Sequence, residues 1–388
     1  MTQPINTFIN INYIQNLIKD QTFDNIKNIV NEYAIEVRTI EEQPNLYLLV
    51  PYRAKTPLNE NSQESILYKQ LQLECNGLIF EKDTNKIVCM AQNKFNIVKN
   101  SSALPTLTGS EKFRIEYCED GTVIRLYNYN GKWYTSTSKC IDARKSFWSS
   151  NKTFHDMFFE IFNESGNNID ELDVSFTYSF ILIHKDNRIV VDHKYNNLIY
   201  INRISNITRQ EDFTNYFYND NPQRCIRRTK QIPDAQLGDL DTYECYDKRG
   251  LIIKLYNQEH NYQYDFNLYN KIKEVRGNVP LIRMRYLELL NEPEKLELLE
   301  KYYPEQNMVF TMIKHCINKL YKDIHNLYYH SHVKHSLTVE ESHKFYRTLN
   351  QLHGQFKKKN IIVTLEVVIK KVNSLNPHII KTLLGWVN

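Results

Sequence analysis

VIRLYNYNGKWYTS, residues 123–136, sets two alternating apolar and polar runs on either side of Asn130-Gly131. Asn-Gly accepts the positive φ angles of a tight two-residue turn, so the stretch predicts a β-hairpin. Similar patterns flank it. LIFEKDTNKIVCM (78–90) is a pair of apolar runs around a polar turn. FTYSFILIHKDNRIVV (176–191) predicts a further hairpin, followed by a strand at LIYI (198–201) and another at LIIKLYN (251–257). Residues 35–260 therefore read mainly as strands, with one helical stretch at KTFHDMFFEIFNE (152–164). At both ends the apolar spacing changes to three and four residues, the helical period. This holds for residues 1–34 and from about Asn270 onward, where IIVTLEVVIKKV (361–372) and HIIKTLLGWV (378–387) predict helices. Thr338 followed by Glu341 reads as a capping box ahead of Phe345, Leu349 and Leu352. The expected division is a mixed module over residues 1–270 and a helical module over 271–388, with no internal repeat.

Composition narrows the class. Of 388 residues 41% are hydrophobic and 24% charged, ordinary globular usage that excludes a disordered or collagen-like chain. No apolar run approaches the roughly 18 residues of a membrane span, and MTQPINTFININYIQ lacks the pattern of a secretory signal. The seven cysteines are scattered singly with no CxxC, which argues against a disulfide framework or a thiolate zinc site and for a reducing, cytoplasmic setting. The 27 tyrosines, with abundant Asn, Ile and Lys, fit an AT-rich genome such as that of a large virus or a protist. Residues 306–388 hold twelve Lys/Arg against four Asp/Glu, so that the rest of the chain is net acidic. A basic helical end invites a nucleic-acid reading, with Lys357, Lys358, Lys359, Lys370 and Lys371 as candidate contacts; a solvated helix surface, or lysines complementing a helix C-terminus, is the plainer one. His330, His332 and His335 fit a polar loop better than a metal site. Arg227, Arg228 and Lys230 are expected on a loop.

In order and spacing, ECNGLIFEKD (74–83), KFN (94–96), EDGT (119–122), Phe180-x-Leu182 with NRIVV (187–191), and RGLIIKL (249–255) before a basic helical end resemble the phage-type RNA ligase 1 family of ATP-dependent covalent nucleotidyltransferases. The resemblance implies an α+β fold: a nucleotidyltransferase core of two antiparallel sheets with flanking helices around an ATP pocket, related to ATP-grasp-like ligases, plus an all-helical C-terminal domain. It also implies a lysine that attacks the α-phosphate of ATP, passes AMP to an RNA 5′-phosphate and leaves a 3′-hydroxyl to displace it. Such an amine must be unprotonated, and the triphosphate needs lysines and a carboxylate-held divalent cation.

This chain departs from the family at the residues that carry the chemistry. Where the family has Lys-x-Asp-Gly, it has Cys118-Glu119-Asp120-Gly121; the nucleophile is a cysteine. Glu-Cys-Arg-Gly becomes Glu74-Cys75-Asn76-Gly77, with Asn76 for the arginine. Lys94 survives in the Lys-Phe-Asn signal and Lys139 is the one lysine left of Lys-Ser-Lys-Gly. The glutamate after Phe180 is Ile181, ahead of a retained Asn187-Arg188. The glutamate of Glu-Gly-x-Val is Arg249, and Lys-x-Lys becomes Gln263-Tyr264-Asp265. The expectation is a degenerate nucleotide pocket formed by Asn76, Lys94, Cys118, Asp120, Gly121, Lys139, Ile181, Arg188, Arg249, Gln263 and Asp265, with no catalytic residue and no metal. The protein would act without a cofactor, by binding RNA or a protein partner. The competing readings are an active RNA ligase using ATP and magnesium, and a virion-type structural protein that reuses the fold.

Overall fold

A computed structural model describes residues 7–52, 63–92, 94–99, 102, 113–212, 217, 226–232, 246–255 and 261–386. The chain separates into two compact units, Met1–Asn270 and Lys271–Asn388.

The first unit is an α+β assembly of three sheets. In chain order it contains β1 (Thr7–Phe8), α1 (Asn12–Ile18), α2 (Phe23–Glu32), β2 (Ile35–Ile40), β3 (Gln43–Pro51), α3 (Gln63–Glu74), β4 (Ile79–Glu81), β5 (Ile87–Cys89), β6 (Asn96–Val98), β7 (Phe113–Cys118), β8 (Thr122–Tyr129) and β9 (Lys132–Ser136). It continues with α4 (Phe154–Glu164), β10 (Phe176–Ile183), β11 (Asn197–Ser205), β12 (Gln210–Asp212), β13 (Ile226–Arg228), β14 (Gly250–Leu255) and β15 (Tyr262–Asp265). The largest sheet runs β1-β12-β11-β10-β8-β9, with β13 beside β11. A second runs β6-β15-β14-β7 and a third β2-β3-β4-β5. Pairing is antiparallel except β11–β13 and β6–β15.

Alternation places the site. On β8 and β10 the side chains of Ile124, Leu126, Tyr178, Phe180 and Leu182 pack against Phe154, Met157, Phe158, Ile161 and Phe162 of α4. Their sequence neighbours Val123, Arg125, Ser179 and Ile181 therefore point to the opposite face, where a cleft lies. Thr153 and Asp156 close a reciprocal capping box at the start of α4.

Several local expectations change. Residues 188–191 are not the return strand of a hairpin: β10 pairs instead with Asn197–Ser205, and the 188–191 backbone is drawn toward Asp120. Within the region read as strands, α3 is a further helix whose buried Leu71 packs with Ile14 and Ile18 of α1. Arg227 and Arg228 lie on β13 rather than on a loop. A third sheet, β2–β5, adds to the two expected.

The second unit is helical: α5 (Asn267–Arg276) leads into it, followed by α6 (Ile282–Glu288), α7 (Pro293–Tyr302), α8 (Asn307–Tyr328), α9 (Tyr346–Lys359), α10 (Leu365–Asn373) and α11 (Pro377–Leu383). Phe310, Ile313, Ile317, Leu320 and Ile324 of α8 form the spine of its core with Leu349, Leu352, Val368 and Ile380. The Thr338/Glu341 capping box does not form; α9 begins only at Tyr346, next to buried Phe345, and Glu341 accepts a hydrogen bond from the Tyr346 hydroxyl instead. Residues 361–364 are not helical, because Thr364 caps α10 by accepting the Val367 amide. His330 and His332 sit in a π-turn, Tyr329–Val333, that extends α8 rather than in a loop. Among the described residues no helix is long and apolar enough to cross a membrane, and five cysteines are free thiols.

Candidate functional site

The cleft lies between the faces of the largest sheet and the β6-β15-β14-β7 sheet and has a volume of about 260 Å³. Strand β7 contributes Glu116 and Cys118; β14 contributes Ile252 and Lys254; β8 and β10 contribute Val123, Arg125, Ser179 and Ile181. Gln92, Lys94, Phe95 and Ile97, with Asn76 just after α3, add to the lining.

Of the eleven pocket residues expected from sequence, Asn76, Lys94, Cys118, Gly121, Ile181, Arg249 and Gln263 line this cleft. Asp265 is not on the wall but is bonded to it: Arg249 donates to both of its carboxylate oxygens, at 2.8 and 3.1 Å, and Gln263 donates at 2.6 Å. Asp120 lies behind the lining. Lys139 is exposed outside it, and Arg188 turns onto its own loop, donating to the Val190 carbonyl at 3.2 Å. In the helical unit, Lys357, Lys358 and Lys359 occupy the last turn of α9, and Lys370 and Lys371 that of α10, the ends where cations complement the helix dipole.

The motif letters that this chain keeps hold backbone in place. Glu74 is buried and accepts the Tyr13 and Ile14 amides at 3.3 and 2.7 Å, closing the start of α1, which has no cap of its own. Asp120 accepts the Val190 and Val191 amides, each at 2.8 Å, and the Tyr269 hydroxyl at 2.8 Å. A Cβ at Gly121 would stand 2.5 Å from Ile181 Cγ2 and 2.6 Å from the Leu182 carbonyl. Gly77 has φ +97°, and a Cβ there would meet Arg125 Nη1 at 2.4 Å.

The positions at which it departs from that pattern hold Cys118, Ile181 and Arg249. Cys118 is buried, and burial, only partly offset by Arg249, pushes its thiol up to about 12. At neutral pH it is a packed thiol with no thiolate to attack phosphorus. Ile181 offers no ligand to a cation and joins an apolar cluster with Ile183 and Ile199. The guanidinium of Arg249 is engaged by the carboxylate two strand positions from Gln263, so the charge pattern of this corner is closed on itself.

Charged cleft residues on the strands escaped the sequence reading. Lys254 Nζ lies 4.0 Å from Glu116 and 3.9 Å from Glu211, with all three side chains nearly inaccessible. Glu116 also pairs with Arg114, and Glu211 accepts from Gln92 and Asn202. Lys248 pairs with Glu119 at 2.8 Å. Arg125, 3% exposed, donates through Nη2 to the Asn76 carbonyl at 2.7 Å. One signal was available: in VIRLYN an arginine sits between two core residues, Ile124 and Leu126, on a strand sandwiched by protein on both faces. Lys94, at the mouth, has its pKa drawn below the ordinary lysine value, chiefly by desolvation; Cys75 opposes this and the Lys139 ammonium adds to it. Among the described residues no cluster of three or more His, Cys, Asp or Glu is arranged to hold a metal ion.

No family model matches the chain. In sequence it is 24% identical over 299 residues to a protein of Invertebrate iridescent virus 6 named as an immediate-early protein ICP-46 homolog, covering 68% of this chain and 65% of that one. It is 24% identical over 258 residues to a protein of Autographa californica nuclear polyhedrosis virus provisionally named a bifunctional polynucleotide kinase/RNA ligase, covering 58% of this chain and 34% of the other. The chain thus spans less than two thirds of the length of either viral relative. Among solved structures, a provisionally assigned ATP-dependent DNA ligase from Aquifex aeolicus aligns over 87% of this chain and 80% of its own, at 9% identity and a TM-score of 0.39.

Proposed function

We propose that this chain is an RNA-ligase-like protein that has lost covalent nucleotidyl transfer and acts by binding, with RNA as the first candidate partner and another protein as the second. One observation carries the reading: at the position that the ligase resemblance assigns to the reactive amine stands Cys118, buried and with its thiol pushed up to about 12. Without an amine or a thiolate, the first step has no atom to receive AMP. Two neighbouring changes point the same way. Ile181 removes an oxygen ligand, and Arg249 binds Asp265 rather than facing a cation. Likeness to a viral protein named for RNA ligase supports a nucleic-acid partner, as does the lysine-rich end of α9.

Incubation with α-labelled ATP and magnesium tests the loss of chemistry; no acid-labile adenylate should form on the protein. Titration of single-stranded RNA at two salt concentrations tests the partner. Binding should weaken as salt rises, and replacing Lys357, Lys358 and Lys359 by Gln should flatten that dependence. Absence of binding at low salt would remove RNA in favour of a protein partner.

A second reading, an active ligase with a relocated amine, is favoured by Lys254, whose Nζ enters the cleft between two carboxylates. The carboxylates make it a counter-ion, whereas attack requires a free lone pair. A labelled adduct that disappears in Lys254→Met would establish this reading and overturn the first.

A further inference from the structure

We propose that the turn between α9 and α10 docks the helical unit onto an anionic lipid surface, its isoleucines entering the interface and its lysines meeting the headgroups. Residues 357–362 are six consecutive exposed positions, Lys357-Lys358-Lys359-Asn360-Ile361-Ile362. Ile362 is 74% exposed, and Phe356 before the lysines and Leu365 after the turn are exposed as well. Single apolar side chains on a surface are ordinary, but four large ones within ten residues, contiguous with three lysines, form a patch. The turn is held in place. Asn360 takes the left-handed conformation, φ 52°, and its amide donates to the Phe356 carbonyl at 2.8 Å, ending α9. Val363, next in the chain, is buried in the core of the helical unit, and the Thr364 amide donates to the Ile362 carbonyl at 3.0 Å. The isoleucines are thus fixed outward before any partner arrives, which lowers the ordering cost of docking.

Charge and side-chain chemistry select the occupant. No acidic residue lies between Ser342 and Leu365, a stretch that also holds Lys344 and Arg347; Glu366 is the first carboxylate after it. Among the described residues no carboxylate pairs with Lys357, Lys358 or Lys359. Two titratable neighbours of Lys357, His332 and His353, are bases and offset none of its charge. RNA would use the lysines but not Ile361, Ile362 or Leu365, because bases stack on aromatic faces, which aliphatic side chains lack. A helical peptide would need an apolar groove, whereas these side chains stand outward on a turn between two helix ends. A bilayer interface takes both kinds of group at once. Anionic headgroups attract basic side chains near the surface, and apolar side chains partition into the boundary with the acyl chains. The lysine stems can lie along that boundary with the ammonium among the headgroups. Contact of this kind lies on the membrane and needs no crossing helix.

Membrane docking stands apart from RNA binding even though both draw on the same lysines, because only docking needs the isoleucines. The full chain is sedimented with vesicles of phosphatidylcholine mixed with phosphatidylserine, with vesicles of phosphatidylcholine alone, and without vesicles, at low and at raised salt. It should pellet with the mixed vesicles only, and less at raised salt. Replacing Lys357, Lys358 and Lys359 by Gln should weaken partitioning by roughly 5-fold per lysine. Ile361→Ser/Ile362→Ser should weaken it by roughly 10- to 50-fold, the scale of withdrawing two apolar side chains from the interface, and leave the RNA titration as in the wild type. Emission from Ile362→Trp should shift to the blue on mixed vesicles. No pelleting with mixed vesicles, equal pelleting with both lipids, or unchanged partitioning in the double serine variant would overturn docking and leave the RNA reading standing. Vesicle binding without RNA binding would do the reverse. RNA binding that falls in the serine variant would assign the isoleucines to a nucleic-acid surface, and self-association without vesicles that the serines abolish would assign them to a second copy; either overturns docking. If the double variant does not fold, unchanged partitioning in Ile362→Ser, at the more exposed position, overturns it.

Discussion

Replacing Asp120 separates a structural from a catalytic reading of the retained Asp-Gly pair. Its carboxylate is 3% exposed and accepts three hydrogen bonds, two from the Val190 and Val191 amides and one from Tyr269, each at 2.8 Å. Asp120→Ala removes the acceptor that these three buried donors share. An orphaned buried donor costs about 1–3 kcal/mol, and three that share one acceptor do not add fully, so the loss should be about 3–6 kcal/mol. Asp120→Asn keeps the shape and one acceptor oxygen but turns an amide donor toward one of the existing donors; it should cost about 2–3 kcal/mol. Tyr269→Phe removes a single bond, worth about 1–1.5 kcal/mol. In the double variant Asp120→Ala/Tyr269→Phe the cost should fall short of the sum, because removing the hydroxyl also removes one orphan. Urea unfolding gives the totals. Hydrogen exchange at the Val190 and Val191 amides locates the effect, because those amides should lose protection before the amides of β10. If Asp120→Asn costs less than about 0.5 kcal/mol, the surface-substitution range, and both amides stay protected, the clamp is not what retains this residue.

Gly121→Ala should destabilise by about 1–3 kcal/mol, since the new methyl must displace Ile181 and a backbone carbonyl; a thermal melt indistinguishable from wild type would refute the packing. Cys118 should resist iodoacetamide at pH 8 in the folded protein and react once it is unfolded, read by peptide mass. Its thiol titrates near 9 when unfolded and near 12 in the fold. The unfolded chain therefore releases protons first as pH rises, and stability should fall between pH 9 and 12. In the helical unit, His332 stacks on Tyr328 at 5.0 Å and faces His353 at 4.6 Å. Burial, then neighbouring histidines and Lys357, hold the pKa of His332 below 6.5; burial, then Lys357 and His335, do the same for His353. The unfolded state takes up protons first as pH falls, so stability is full above pH 6.5 and declines below it. His332→Phe should reduce that acid-side loss of Tm, and an unaltered pH profile would count against the stack.

Sequence alone determined the local elements with strong periodicity: the hairpin at Asn130-Gly131, α4, the β14 strand and the helical end. These follow from alternation and turn chemistry, which act over neighbouring residues. It also carried the expectation that the positions the resemblance makes reactive hold Cys118, Ile181 and Arg249. What pairs with what had to come from tertiary structure. The span 188–191 resembled a return strand, yet its amides are taken by Asp120, 70 and 71 residues away in sequence. Thr338 and Glu341 formed a plausible cap, yet packing of Phe345 started the helix later. Arg125 and Lys254 are buried only because two sheets close over them. Burial and the identity of a charge's neighbours depend on contacts between segments far apart in the chain, and no local pattern encodes the third dimension in which Lys254 comes to lie between Glu116 and Glu211.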